Sequence, residues 1–128
     1  MRQHNQGFTL IELLVVVAII GIISAVSVVA YSGYKSSAEQ KQAEITLNTI
    51  YLAEQEYKSN NGEYYFNAST SNLVTNLFDG VDDLSGQSYT FKTTNASSLT
   101  ITATKKTNTS CTISITEKNK KPNISSAC

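Results

Sequence analysis

A long apolar stretch lies near the amino terminus of the chain. Between residues 13 and 34 no side chain carries a charge, and most positions are Leu, Ile, Val or Ala. A helix over residues 13–31 would be roughly 28 Å long at 1.5 Å per residue, about the thickness of the hydrocarbon core of a bilayer. The pattern therefore predicts a membrane-spanning helix.

After residue 32 the pattern becomes amphipathic but contains no break. Apolar side chains recur at helical spacing between polar ones, and the sequence Asn60-Asn61-Gly62 then supplies helix-ending and turn chemistry. We predict one helix from about residue 8 to about residue 58, roughly 75 Å long. Its second half has one apolar stripe, which the rest of the chain must cover: Ala38, Ala43, Leu47, Ile50 and Tyr57.

The carboxy-terminal half alternates in strand fashion. Residues 87–94, 98–104 and 111–116 place apolar side chains at every second position between Ser, Thr, Asn or Gly. A short helix is expected within residues 69–80. The predicted fold class is α+β: a long amino-terminal helix packed against a small antiparallel sheet of three or four strands.

Composition argues against an enzyme. The chain has 128 residues, zero formal net charge and a single histidine, His4, near its amino terminus. If the leader that contains His4 is removed, no imidazole remains for acid–base, nucleophilic or metal chemistry. We expect no catalytic residue, no cofactor and no metal site. Three aspartates lie close together, but their spacing matches no calcium loop and indicates a solvated turn: Asp79, Asp82 and Asp83.

Two cysteines lie in the part of the chain that would follow the span out of the cytoplasm. Cys111 and Cys128 favour one disulfide, although two free thiols are the alternative. The bond would close a carboxy-terminal loop of about 17 residues and contribute roughly 3 kcal/mol in the chain-entropy model.

Glu12 stands at the entrance of the apolar span, and no Lys or Arg lies within helical reach of it. A carboxylate at that depth costs a few kcal/mol without a partner. Cleavage after Gly7 would create a cation, the α-amino group of Phe8, at the same depth. The amine of the same helix or that of a neighbouring copy could pair with Glu12. An ordinary secretory signal is the alternative, but its apolar core would be shorter.

The run Gly7-Phe8-Thr9-Leu10-Ile11-Glu12-Leu13 resembles the processing site of type IV pilins and the related pseudopilins. The resemblance implies that a prepilin peptidase cuts after Gly7 and N-methylates Phe8, and that Glu12 pairs with the Phe8 amine of an adjacent subunit. It also implies an assembly ATPase, a membrane platform protein and a helical homo-oligomer as partners. Pilins commonly have proline where this sequence has Val29, so the usual kink of the helix is in question.

The resemblance and the charge pattern together predict three regions: a cleaved leader (1–7), a transmembrane and assembly helix (8–34) and a soluble head (35–128). Arg2 favours a cytoplasmic amino terminus, so the head of an inner-membrane precursor would lie outside the cytoplasm and later in an extracellular pilus. Adhesion, twitching motility and DNA uptake are roles of such fibres. A minor pilin with a binding role and a type II secretion pseudopilin remain alternatives.

Two lysine runs, Lys105-Lys106 and Lys118-Asn119-Lys120-Lys121, could form one basic patch at an end of the head. Such a patch could contact DNA, an acidic polysaccharide or a neighbouring subunit. A solvated face is the simpler interpretation, and DNA is only weakly supported as a partner.

Overall fold

The computed structural model describes residues 7–66, 69–81, 83–94 and 98–128. The chain divides into two compact units, Met1–Ser37 and Ala38–Cys128. Two helices and a four-stranded sheet account for the regular structure in the described residues. In chain order they are α1 (Leu10–Asn61), α2 (Thr70–Leu77), β1 (Tyr89–Thr94), β2 (Thr100–Lys105), β3 (Asn108–Thr116) and β4 (Asn123–Ile124).

Helix α1 is the long helix that the sequence predicts, and it continues through Gly21, Val29 and Gly33 without a break. No proline interrupts its ladder of backbone hydrogen bonds. Two hydroxyls of its apolar part are satisfied within the helix. Ser27 donates to the carbonyl of Ile23 at 2.8 Å, and Ser32 donates to a carbonyl one turn before it at 2.9 Å.

The carboxyl end of α1 lies three residues beyond the expected position. Gly62 adopts a φ of 84°, a left-handed conformation that suits glycine, and its N–H donates to the carbonyl of Lys58 at 2.8 Å. The Asn61 side chain donates to the carbonyl of Tyr57 at 2.9 Å. The Asn-Asn-Gly sequence therefore caps the helix and turns the chain, as its residue types indicate.

The sheet is an antiparallel meander in the order β1-β2-β3-β4. The three predicted strands are confirmed, with bounds that differ by up to three residues. Strand β3 begins earlier than predicted because the two-residue connection after Lys105 brings Asn108 into register opposite it. Strand β4 was not expected as a separate element; it has two residues, and Ile124 pairs with Ile113.

The core of the second unit lies between the stripe of α1 and one face of the sheet. Ala43, Leu47 and Ile50 of the predicted stripe are buried. Ala38 is exposed and Tyr57 is half-buried, so the buried stripe is shorter than expected. From the sheet, alternate side chains complete the core: Tyr89, Phe91, Ile101, Ala103, Cys111, Ile113 and Ile115.

Helix α2 covers the open edge of β1. The Thr70 hydroxyl donates to the carbonyl of Phe91 and accepts from its N–H, both at 3.0 Å. These are backbone groups on the side of β1 that faces away from β2, and their pairing blunts an edge strand. Leu73 and Val74 bury the apolar side of α2 in the same core.

The carboxy-terminal loop is closed by a disulfide between Cys111 and Cys128, as the sequence predicts. Cys111 is buried on β3, whereas Cys128 is exposed. Ser125 holds the returning chain against β3: its N–H donates to the carbonyl of Thr112 at 2.9 Å, and its hydroxyl accepts from the Thr112 N–H at 3.0 Å. The disulfide and these bonds fix a segment that has little apolar side-chain area of its own.

Candidate processing and assembly site

The amino-terminal site is built around the first turn of α1. Thr9 precedes the helix, and Glu12 is the third residue within it. The N–H and the hydroxyl of Thr9 both donate to Oε2 of Glu12, at 2.8 and 2.7 Å, and the Glu12 N–H donates to the Thr9 hydroxyl at 3.3 Å. This is a capping box, in which a threonine and a glutamate satisfy each other's backbone N–H groups.

The capping box explains why α1 begins at Leu10 and not at about residue 8, because Thr9 must stay outside the helix to cap it. It also gives Glu12 local partners that we did not infer from the sequence. The signal was present: Thr-x-x-Glu before an apolar run is a helix-start pattern. A carboxylate in the first turn is stabilised further by the helix macrodipole.

One oxygen of Glu12 carries all of these bonds. Both donors from Thr9 point to Oε2, and within the described residues no hydrogen bond to Oε1 is formed. The cap therefore holds the carboxylate in one orientation and leaves its second oxygen to accept from a further donor. In that orientation the carboxylate can satisfy the helix end and bind a cation at the same time.

Gly7 and Phe8 lie just before the cap, in exposed and non-helical backbone. The Phe8 side chain is 86% exposed, and a Cβ built on Gly7 would meet no atom within 4 Å. The peptide bond between them is thus close to Glu12 in sequence but outside the helix. The remainder of the expected leader, including Arg2 and His4, lies outside the described residues.

The large apolar side chains that follow have no cover within the first unit. Between Phe8 and Tyr34 they are 45–86% exposed. By length and composition, α1 is the one helix in the described part of the chain that could cross a membrane. So much exposed hydrocarbon requires lipid or other apolar helices around it.

The second unit contains a buried carboxylate that the sequence analysis missed. Glu54 has no exposed surface; its Oε2 accepts from the Tyr65 N–H at 2.8 Å, and its Oε1 has no partner within the described residues. Burial raises the pKa of Glu54 to about 7, against a smaller opposing effect of the Tyr65 N–H. Glu54 follows Leu47 and Ile50 at the spacing of the buried stripe, which is the signal that could have revealed it.

The two lysine runs do not form the single patch that we expected. Lys105 pairs with Glu39 at 3.6 Å, and Lys106 donates to the carbonyl of Ser85 at 2.8 Å. Lys105 ends β2 opposite the first residue of β3, and Lys106 follows it, whereas the run from Lys118 to Lys121 lies beyond the other end of β3. The length of β3 separates them, and the expectation of one patch is wrong.

Around the second run, charged and aromatic groups meet from three parts of the chain. The Tyr64 hydroxyl donates to Glu117 at 2.7 Å, and Lys58 pairs with Glu117 at 3.3 Å. These two groups hold the pKa of the Glu117 carboxyl below its ordinary value, and Lys118 adds to the effect. The Lys120 ammonium lies 5.3 Å from the centre of the Tyr51 ring.

Within the described residues, no three His, Cys, Asp or Glu side chains are grouped closely enough to hold a metal ion. Of the aspartates considered in the sequence, Asp79 and Asp83 are exposed. Asp82 lies outside the described residues.

In the described residues, an amino-terminal apolar helix long enough to cross a membrane is followed by an α+β head closed by a disulfide. Residues 2–28 match the family model described as the prokaryotic N-terminal methylation motif. The chain therefore carries the signature of type IV pilin-like or pseudopilin precursors, which are structural proteins and not an enzyme class.

The motif implies processing by a prepilin peptidase and contact with the pilus assembly machinery. Together with α1 it fits a precursor anchored in the inner membrane. No curated protein and no solved structure gives a significant match to the chain.

Proposed function

We propose that this chain is a subunit of a type IV pilus. The precursor is cut between Gly7 and Phe8, the new amino terminus of Phe8 is methylated, and the mature chain assembles into an extracellular helical filament. The observation that carries the proposal is the position of Glu12. The capping box fixes its carboxylate at the start of an apolar helix, and Glu12 lies within the methylation motif.

The apolar half of α1 supplies the main driving force. Its exposed side chains lie in lipid in the precursor and against identical helices in the filament, so little hydrophobic burial is lost when a subunit leaves the membrane. Head-to-tail addition that does not close into a ring then extends the fibre. We place the head, residues 35–128, outside the cytoplasm and the leader, residues 1–7, inside it.

Glu12 sets the axial position of each subunit. Cleavage releases an amine at Phe8, and Oε1 of Glu12 on a neighbouring subunit accepts from it while Oε2 keeps its bonds with Thr9. The pairing neutralises two charges in apolar surroundings, where each alone would be costly. An assembly ATPase and a membrane platform protein are the further partners. The disulfide between Cys111 and Cys128 supports a pilin over a secretion pseudopilin, which would share the motif.

Two substitutions distinguish the pairing of Glu12 with the Phe8 amine from its role in the capping box. Glu12→Gln keeps an acceptor at the third helical position, so the capping box persists, but it removes the charge that the amine needs. Thr9→Ala removes the cap, at a cost of about 1 kcal/mol, and leaves the charge. We expect Glu12→Gln to insert into the membrane normally and to lower the yield of sheared filaments at least about tenfold, whereas Thr9→Ala retains most of it.

Filament yield is measured by electron microscopy and by the amount of subunit in the sheared fraction, with membrane-bound precursor as the control for expression. Equal filament yields from wild type and Glu12→Gln would show that the charge pair is not required. A greater loss with Thr9→Ala than with Glu12→Gln would assign the role of Glu12 to capping.

A further inference from the structure

One edge of the head carries uncompensated positive charge. We call it the basic flank: Lys58, Lys118, Lys120 and Lys121. Lys58 is paired with Glu117, but Lys118 and Lys121 are exposed and make no ion pair within the described residues, and Lys120 lies over an aromatic ring. Three positive charges therefore stand on the connection between β3 and β4 without a carboxylate of their own.

The other side of the head has a small polar recess of about 220 Å³ lined by two carboxylates, Glu56 and Asp79. Neither carboxylate makes an ion pair within the described residues. The neighbouring amides of Asn61 and Asn76 use their N–H groups on Tyr57, Asn72 and Tyr65. Their carbonyl oxygens are left as acceptors, so the lining presents oxygen atoms, which suits an ammonium group. We call it the acidic recess.

The fold puts these two surfaces on opposite edges. Lys118, Lys120 and Lys121 of the basic flank lie between β3 and β4 at one end of the strand order, whereas Asp79 follows α2, which covers β1 at the other end. Along α1, Tyr51 under Lys120 and Glu56 in the recess are about 140° apart at 100° per residue, so they lie on different faces of the helix. The surfaces of one chain therefore face different neighbours.

We propose that the basic flank of one subunit docks against the acidic recess of the next copy in the filament, so that head-to-head lateral contacts are directed by charge. The inference rests on the proposed function, because only an assembled chain presents the two surfaces to each other. Two complementary patches on different edges make a heterologous contact, which extends into a helix and does not close as a symmetric dimer would.

Zero-length carbodiimide coupling tests the contact in unmodified filaments, since it joins a lysine to a carboxylate only where the two touch. We expect a covalent dimer in which a peptide containing Lys118, Lys120 or Lys121 is linked to one containing Glu56 or Asp79. Filaments grown from a mixture of isotopically labelled and unlabelled subunits show whether the link joins two chains. Subunits that are dissociated in detergent before the coupling reaction should form no such dimer. Intact filaments without such links would overturn the inference and leave the proposed function standing.

Charge reversal gives the second test. Lys118→Glu with Lys120→Glu, and separately Glu56→Lys with Asp79→Lys, should each lower filament yield about tenfold through like-charge contact, and all four together should restore most of it. The matched controls are Lys92→Glu and Asp83→Lys, two exposed positions that line neither surface, which should leave the yield unchanged. Equal losses in the controls, or no rescue in the combined variant, would contradict directed docking. A wild-type chain that forms no filament would contradict the proposed function instead.

Discussion

Glu54 shows how one residue can depart from the pattern around it. It follows Leu47 and Ile50 at the spacing of the buried stripe, and it is buried as completely as they are. Its only hydrogen bond within the described residues is from the Tyr65 N–H. A carboxylate in such a place is stabilised by taking up a proton, which is why burial raises the pKa of Glu54 to about 7. The residue therefore makes the stability of the head depend on pH.

The direction in which stability changes with pH follows from proton uptake by Glu54. In the folded chain the Glu54 carboxyl keeps its proton up to a pKa of about 7, whereas its ordinary pKa is 4.5. The contribution of Glu54 to the free energy of unfolding should therefore be largest below pH 4.5 and fall by about 3 kcal/mol as the pH rises to 7. Glu54→Gln keeps an acceptor for Tyr65 and carries no charge, so we expect it to be more stable than wild type at pH 7 and to lack this pH dependence.

The measurement is urea unfolding of the detergent-solubilised chain between pH 4 and 8, followed by near-ultraviolet circular dichroism. The chain has no tryptophan, and five of its seven tyrosines lie in the head, so that signal reports mainly on the head. If wild type and Glu54→Gln responded to pH in parallel, Glu54 would not be the responsible group.

At the scale of elements, strong periodicity was enough to predict α1, α2 and strands β1 to β3. Features that depend on partners distant in sequence were missed. Strand β4 exists because the disulfide and Ser125 hold it, and its two residues show no alternation. The two lysine runs were expected to form one patch although a predicted strand, residues 111–116, lies between them. That strand has nine residues in the structure, and its length places the runs at its two ends. Of the candidate site, the motif was visible in the sequence, the roles of Gly7, Phe8 and Glu12 stay predictions, and the capping bonds of Thr9 were overlooked.

The disulfide fixes strand β4 and its loop, which have few buried apolar side chains of their own. Replacing both Cys111 and Cys128 by serine should lower the free energy of unfolding by about 3 kcal/mol, since the unfolded chain regains the freedom of its closed loop. Reductant should lower the unfolding midpoint of wild type to that of the double variant and leave the variant unchanged. A wild-type midpoint that does not respond to full reduction would show that the loop does not depend on the bond.

The two units of the chain differ in how their apolar side chains are covered. The Ala38–Cys128 unit covers its apolar stripe with its own sheet. The Met1–Ser37 unit leaves its hydrocarbon exposed, so a membrane or other copies of the chain must cover it. This difference between the units suits the proposed function, in which the apolar helix lies first in lipid and then among identical helices.

The most direct test of that account is mass spectrometry of the intact subunit from sheared surface filaments. The account predicts a chain that starts at Phe8, carries one added methyl group on its amino terminus and retains the disulfide between Cys111 and Cys128. A filament subunit that keeps any of residues 1–7, or that begins after Phe8, would contradict it, because the amine proposed to pair with Glu12 would not exist.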